Sequence, residues 1–273
     1  MDTLTPTILF MFIALGASAG FLAGLLGIGG GVILVPLFLW ALPSAGFPAE
    51  HLVHIAFGTS LAIIFPTAIS STIGHRKRGN VAWPQVLPLA LGSMAGALLG
   101  SSLAVLLSAD TLKALFGLMQ VVIGLKLLLF HPHLPEDVSI HPRQISLLLV
   151  GLASGAFSAF FGVGGGVIAV PLMVLALRLP IHFAVGNSSA LIVVASLMGT
   201  LSYAYHGSGL VGLPAHQFGF VNYAVLLGVA PFSILCARLG VKAANFLHHK
   251  QLTRIFALLL IMIGLRLFFR LFL

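Results

Sequence analysis

Eight apolar stretches, at residues 7–42, 52–73, 83–107, 112–130, 145–177, 183–205, 218–239 and 252–273, take up most of this chain. Each is close to or above the ~20 residues a helix needs to cross the ~30 Å hydrocarbon core of a bilayer. Charged residues make up 7% of the sequence, against about 25% in a soluble domain, so the chain lacks the polar surface to stay in water. Its 31 glycines and 14 prolines fit the same reading, since both are commoner in membrane helices than in soluble ones. The expected fold is an all-α polytopic membrane protein, one transmembrane domain over residues 1–273. The single Cys236 lies in an apolar run, which excludes a disulfide framework or a cysteine metal cluster.

The net charge of +8 does not point to nucleic acid. The bases fall at the ends of the apolar stretches and in short connections, where they orient a membrane protein. The leading residues MDTLTPT carry an acid and no basic run, unlike a cleavable signal.

An internal repeat organises the chain. GASAGFLAGLLGIGGGVILVPL at 16–37 matches GLASGAFSAFFGVGGGVIAVPL at 151–172, and HIAFGTSLA at 54–62 matches HFAVGNSSA at 182–190. Gly124-Leu125-Lys126 answers Gly264-Leu265-Arg266 in the same order. The expectation is one repeat over about 7–130, a polar linker over 131–144, and a second repeat over about 145–273.

The first stretch of each repeat is too long for one ordinary span, and a glycine cluster interrupts it. With four crossings per half, Arg76, Lys77, Arg78, Lys126, Arg143, Arg266 and Arg270 would face Lys113, Arg178, Arg238, Lys242, Lys250 and Arg254, a seven-to-six split. Folding each long stretch back at its glycines gives five segments per half and inverts the second half. Only Lys113, Arg266 and Arg270 then oppose the other ten bases, the bias that cytoplasmic loops carry. The expected architecture is thus two inverted repeats of about five segments, with both termini outside the cell membrane and the short returning limb as a half-helix. Inverted repeats with broken helices form transporters that bind substrate near the midplane.

Gly27-Ile28-Gly29-Gly30-Gly31 and Gly162-Val163-Gly164-Gly165-Gly166 mark the breaks, each followed by a proline, Pro36 or Pro171. Consecutive glycines weaken a helix, and proline removes a further donor. N–H groups freed at membrane depth need protein or a water-filled cavity. At a helix N-terminus they form an anion site without a cationic side chain. The competing use is close helix packing, which the spacing of Gly16/Gly20/Gly24 and Gly92/Gly96/Gly100 favours for those glycines. A nucleotide loop fails, because Val32 and Val167 stand where a GxGxxG would need glycine; no cofactor is expected. Thr59, Ser60, Asn187 and Ser188, early in the next stretch of each half, could donate to an oxyanion or could hold helices together.

GxGGGxxxxP in each half, followed by A-x-G-T/N-S at 56–60 and 184–188, resembles the TauE/SafE sulfite exporter family. The resemblance covers about 16–266. It implies a secondary carrier of sulfur-containing anions such as sulfite, sulfoacetate, other sulfonates or thiosulfate, with the lipid bilayer as its other partner. The first copy has Thr59 where the second has Asn187, so the half-sites are chemically unequal.

The five acids, Asp2, Glu50, Asp110, Glu136 and Asp137, fall at termini or in connections, leaving no intramembrane carboxylate as a proton or sodium relay. Export of an anion down the membrane potential needs none. His54 and His182 are the repeated titratable groups near the site, read as helix-end residues or as proton carriers for coupled uptake; an anion channel is the other alternative. The loop residues His131, His133, His141, His248 and His249 lack a metal-binding pattern, and no catalytic residues are expected. Trp40 and Trp83 fit interfacial belts, Tyr203 and Tyr205 either an interface or a ligand contact, and Gln120 a pore lining. The sequence leaves the oligomeric state open.

Overall fold

The computed structural model describes residues 6–26, 30–129, 142–210, 212–244 and 249–269. Ten helices follow in order: α1 (Pro6–Leu26), α2 (Gly31–Ser44), α3 (Leu52–Lys77), α4 (Trp83–Val105), α5 (Ala109–Leu129), α6 (Gln144–Phe161), α7 (Gly166–Leu175), α8 (Ile181–His206), α9 (Tyr223–Ala244) and α10 (His249–Phe269). The all-α polytopic fold expected from the sequence is present. Five of the helices, α3, α4, α5, α6 and α8, are long and apolar enough to cross a membrane. Their outer faces carry exposed leucines such as Leu87, Leu91, Leu99 and Leu103 on α4, as a lipid-facing surface requires. Trp40 and Trp83 are 64% and 50% exposed, consistent with interfacial anchors.

Both long apolar stretches are broken at their glycines. The returning limbs α2 and α7 are 14 and 10 residues long, or about 21 and 15 Å at 1.5 Å per residue, too short for a full crossing. The seventh stretch departs from its expected start at 218. A two-stranded hairpin, β1 (Gln217–Phe218) and β2 (Val221–Asn222), precedes α9. Gly219 has φ +60°, which turns the chain there, and Asn222 Oδ1 accepts the Val225 N–H at 2.9 Å to cap α9.

The helix directions follow from the close glycine contacts. On α4, a Cβ at Gly92, Gly96 or Gly100 would run into the backbone of Leu148, Leu152 or Ala156 in turn, so α4 and α6 are parallel. Gly16 and Gly20 meet Val229 and Ser233, so α1 and α9 are also parallel. The glycine stripes therefore serve close packing. By contrast, α3 and α8 are antiparallel: Gly58 lies beside Tyr203, Leu61 beside Gly199, and Ser71 Oγ is 3.2 Å from Ser189 Oγ. Gly117 against Gly264 and Gly124 against Ala257 make α5 and α10 antiparallel. Exchanging the first five helices with the last five turns α1·α9 into α6·α4, and leaves α3·α8 and α5·α10 unchanged.

A cysteine pair tests these directions. With Cys236 replaced by serine, Ser71→Cys and Ser189→Cys should cross-link on mild oxidation, read as a mobility shift after proteolysis in the connection between them. A Ser71→Cys/Ser202→Cys pair should not, because Ser202 pairs with Ser101 near the other end of α8.

Candidate functional site

The second break is fully described. α6 ends at Gly162, whose φ of +67° and N–H bond to the Ser158 carbonyl form a left-handed cap. Val163 N–H also bonds to the Ser158 carbonyl, at 3.1 Å. Gly164 and Gly165 follow at φ +80° and +75°, a backbone that only glycine adopts freely. α7 then starts at Gly166, with Ile168 and Ala169 N–H bonded to the Gly165 carbonyl. Among the described residues, no partner meets the N–H groups of Gly164, Gly165, Gly166 and Val167. The positive end of the helix dipole lies at the same place.

The first break enters from the opposite half. Gly27 and Gly29 lie outside the described residues. Gly30 caps α2 with ordinary helical angles, φ −69° and ψ −25°, and its carbonyl accepts from Ile33 and Leu34. Gly31 is buried directly against the backbone of Val163, where any Cβ would overlap. The two breaks thus touch in the interior. Ser60 on α3 donates to the Gly162 carbonyl at 2.9 Å. Ile64 and Ile192, at matching positions of α3 and α8, close around Gly164, and Gly162 rests on Phe57.

The A-x-G-T/N-S motif links the halves in a regular way. Its glycine admits a connecting segment: the Phe220 carbonyl approaches Gly58, and the Asn80 carbonyl approaches Gly186. Its next side chain accepts the N–H two residues further along, Asn222 N–H to Thr59 Oγ1 at 3.0 Å and Ala82 N–H to Asn187 Oδ1 at 2.8 Å. Asn187 also donates to Gln85 at 2.9 Å. Thr59 and Asn187 are thereby occupied in holding the hairpin and the α3–α4 connection. The motif serine points inward. Ser60 is bonded across to the second break, while Ser188 is 2% exposed with its hydroxyl unpartnered.

Two further hydroxyls near the second break went unnoticed in the sequence. Ser154 and Ser158, one turn apart on α6, are fully buried and neither hydroxyl has a partner. A Cβ on Gly165 would stand 2.9 Å from Ser158 Cβ and 3.0 Å from the Ser154 carbonyl. The available signal was a difference between the repeats: the first copy has Ala19 and Ala23 at these places.

Gln120 has a structural role. Pro36 has no N–H, so it leaves the Val32 carbonyl, four residues earlier, without its helical donor. Gln120 Nε2 donates to that carbonyl at 3.1 Å. Leu260, its counterpart, is buried in the core. Tyr203, too, is structural: its hydroxyl donates to the Ala159 carbonyl at 3.1 Å, while Tyr205 is exposed. The repeated histidines differ. His182 is exposed, whereas His54 is buried, stacks on Phe220 at 5.1 Å and donates through Nε2 to the Ala104 carbonyl at 3.3 Å. Both described carboxylates lie at helix starts, Glu50 exposed before α3 and Asp110 paired with Lys113 at 3.0 Å on α5. The histidine-bearing loop positions 131, 133, 141 and 248 lie outside the described residues.

Comparison with known proteins gives the same frame. No solved structure matches the chain. A "probable membrane transporter protein" of Haemophilus influenzae is 31% identical over 97% of this chain and 99% of its own. One from Xylella fastidiosa strain 9a5c is 34% identical over 72% of this chain and 75% of its own. The probable membrane transporter protein YunE of Bacillus subtilis is 26% identical over 95% and 97%. The family profile described as "Sulfite exporter TauE/SafE" matches residues 12–267. The chain belongs to the sulfite exporter TauE/SafE family of membrane transporters.

Proposed function

We propose that this transporter exports small sulfur-containing oxyanions, such as sulfite, sulfoacetate or other sulfonates, across the cell's inner membrane. In this reading Gly27, Gly29, Gly30 and Gly31 of the first break and Gly164, Gly165 and Gly166 of the second cradle the anion through main-chain N–H groups, while Gly162, whose own N–H is bonded to the Ser158 carbonyl, forms the turn that presents them. Ser60 and Ser188 flank it, and Thr59 and Asn187 fix the elements around it. The observation that carries the proposal is the direct contact of Gly31 with Val163: two helix breaks from different halves meet inside the protein. Broken helices joined at a repeat interface are where carriers hold substrate.

The halves act as inverted repeats in this account. Antiparallel α3·α8 and α5·α10 support inversion, since repeats of equal orientation would make both pairs parallel. The helix directions also gather Arg76, Lys77, Arg78, Lys126, Arg143 and Arg178 at one end, with Lys113 and Arg266 at the other. The richer side is the cytoplasmic one by the usual charge rule, which leaves both termini outside. The Gly164 turn, with Ile64 and Ile192 over it, is the barrier that must part for passage.

Export needs no coupling ion. Leaving a negative-inside cell, an anion gains about 2.3 kcal/mol per charge per 100 mV. A dianion can therefore be held at a gradient of about three decades per 100 mV. In proteoliposomes, a 100 mV potential should drive sulfite toward the positive side and reversal should reverse the flux. Sulfoacetate should compete, and taurine should not, because a site built from helix N-termini repels its ammonium. Sulfite flux indifferent to potential would contradict uniport export and favour coupled uptake, with buried His54 as the titrating group.

A further inference from the structure

We propose that the anion seat is lopsided: the hydroxyls of Ser154 and Ser158 on α6, together with the N–H groups of Gly165, Gly166 and Val167, form the oxyanion-selective half of the site. The inference rests on the transport reading above and names side chains which that reading does not use.

Both serines are at least 99% buried, yet neither hydroxyl makes a hydrogen bond. This is unusual for a helix serine, because its hydroxyl ordinarily bonds back to the carbonyl three or four residues before. Ser101, Ser189 and Ser196 in this protein do so, at 2.7, 3.0 and 2.6 Å. An unmet buried hydroxyl costs free energy, and two of them one turn apart flank a single feature, the Gly165 turn. Ser158 Oγ is 3.4 Å from where a Cβ on Gly165 would stand. Glycine there leaves no side chain between the Ser158 hydroxyl and the start of α7 with its unpaired N–H groups, and Ser154 reaches the same turn through its carbonyl, 3.0 Å from where a Cβ on Gly165 would stand.

The repeat makes the point sharper. The matching positions of the first half are Ala19 and Ala23, and Ala19 is a plain core residue. An apolar packing role would be served by alanine in both copies. Hydroxyls confined to one copy match a ligand that has several acceptor oxygens at one end, as sulfite and sulfonates do. A halide has no such oxygens and would draw less benefit from them.

The test is equilibrium binding of radiolabelled sulfite to purified protein in nanodiscs, with chloride as competitor. Ser154→Ala/Ser158→Ala should raise the sulfite Kd at least tenfold, about 1.4 kcal/mol. Chloride competition should then strengthen relative to sulfite. Ser158→Thr, which keeps the hydroxyl, should stay within threefold of the parent. Ser93→Ala, which removes another buried unpartnered hydroxyl on α4, should leave the Kd unchanged and controls for general loosening. Should the double variant fail to fold, Ser158→Ala against Ser158→Thr carries the comparison. Equal sulfite affinity in the alanine and parent proteins would overturn the lopsided seat and leave the main-chain site standing. No sulfite binding by the parent protein would overturn both.

Discussion

Gly165→Leu should abolish anion flux while the protein still inserts and purifies as the parent does. At φ +75° a leucine costs about 1–2 kcal/mol in backbone strain. Its Cβ would also stand 2.9 Å from Ser158 Cβ. Relief requires the turn to rotate, which swings the N–H groups of Gly166 and Val167 away from the interior. Gly164→Leu carries the same strain at φ +80° and meets Ile64 at 3.0 Å. Gly30→Leu isolates the question, because Gly30 has helical angles and its substitution adds no backbone strain. Flux measured in proteoliposomes should rank Gly165→Leu below Gly30→Leu. Normal flux in Gly165→Leu would reduce these glycines to packing elements.

The largest effect on folding should come from the α4·α6 seam. Gly96→Val places a branched side chain against the Leu152 carbonyl and the Ala156 N–H, and Gly155, beside the Ser93 carbonyl on the same seam, leaves no slack. Backbone cannot yield as a flexible side chain can, and overpacking a tight contact typically costs 1–3 kcal/mol or more. The seam joins the two halves, so separating it unseats the second break from its support. Folded yield by size-exclusion profile should fall severalfold for Gly96→Val. Gly74→Val, where a Cβ meets nothing within 4 Å, should behave as the parent.

The sequence conveyed the large-scale plan well, because the hydrocarbon thickness imposes a length on every crossing helix. Positive-φ angles at Gly162, Gly164 and Gly165 match a break that glycine runs alone announce. What stayed hidden depends on which partner a polar side chain finds. Thr59 and Asn187 look alike as free donors in the sequence, yet each accepts an N–H from a connecting segment more than a hundred residues distant. Gln120 looks like a pore residue until Pro36 and the orphaned Val32 carbonyl are brought beside it. Ser154 and Ser158 are inconspicuous among small helix residues, and only three-dimensional contact with the Gly165 turn singles them out. The hairpin at 217–222 escaped because Phe218, Phe220 and Val221 read as the apolar start of a helix.

A structure determined with selenite, the selenium counterpart of sulfite, tests the account most directly, since anomalous scattering locates the anion without interpretation of its shape. The expected result is one strong peak within hydrogen-bonding distance of the Gly165–Val167 N–H groups, between the two breaks. A peak instead among Arg76, Lys77 and Arg78, or none at the breaks in a preparation that transports selenite, would contradict a site made of main-chain donors.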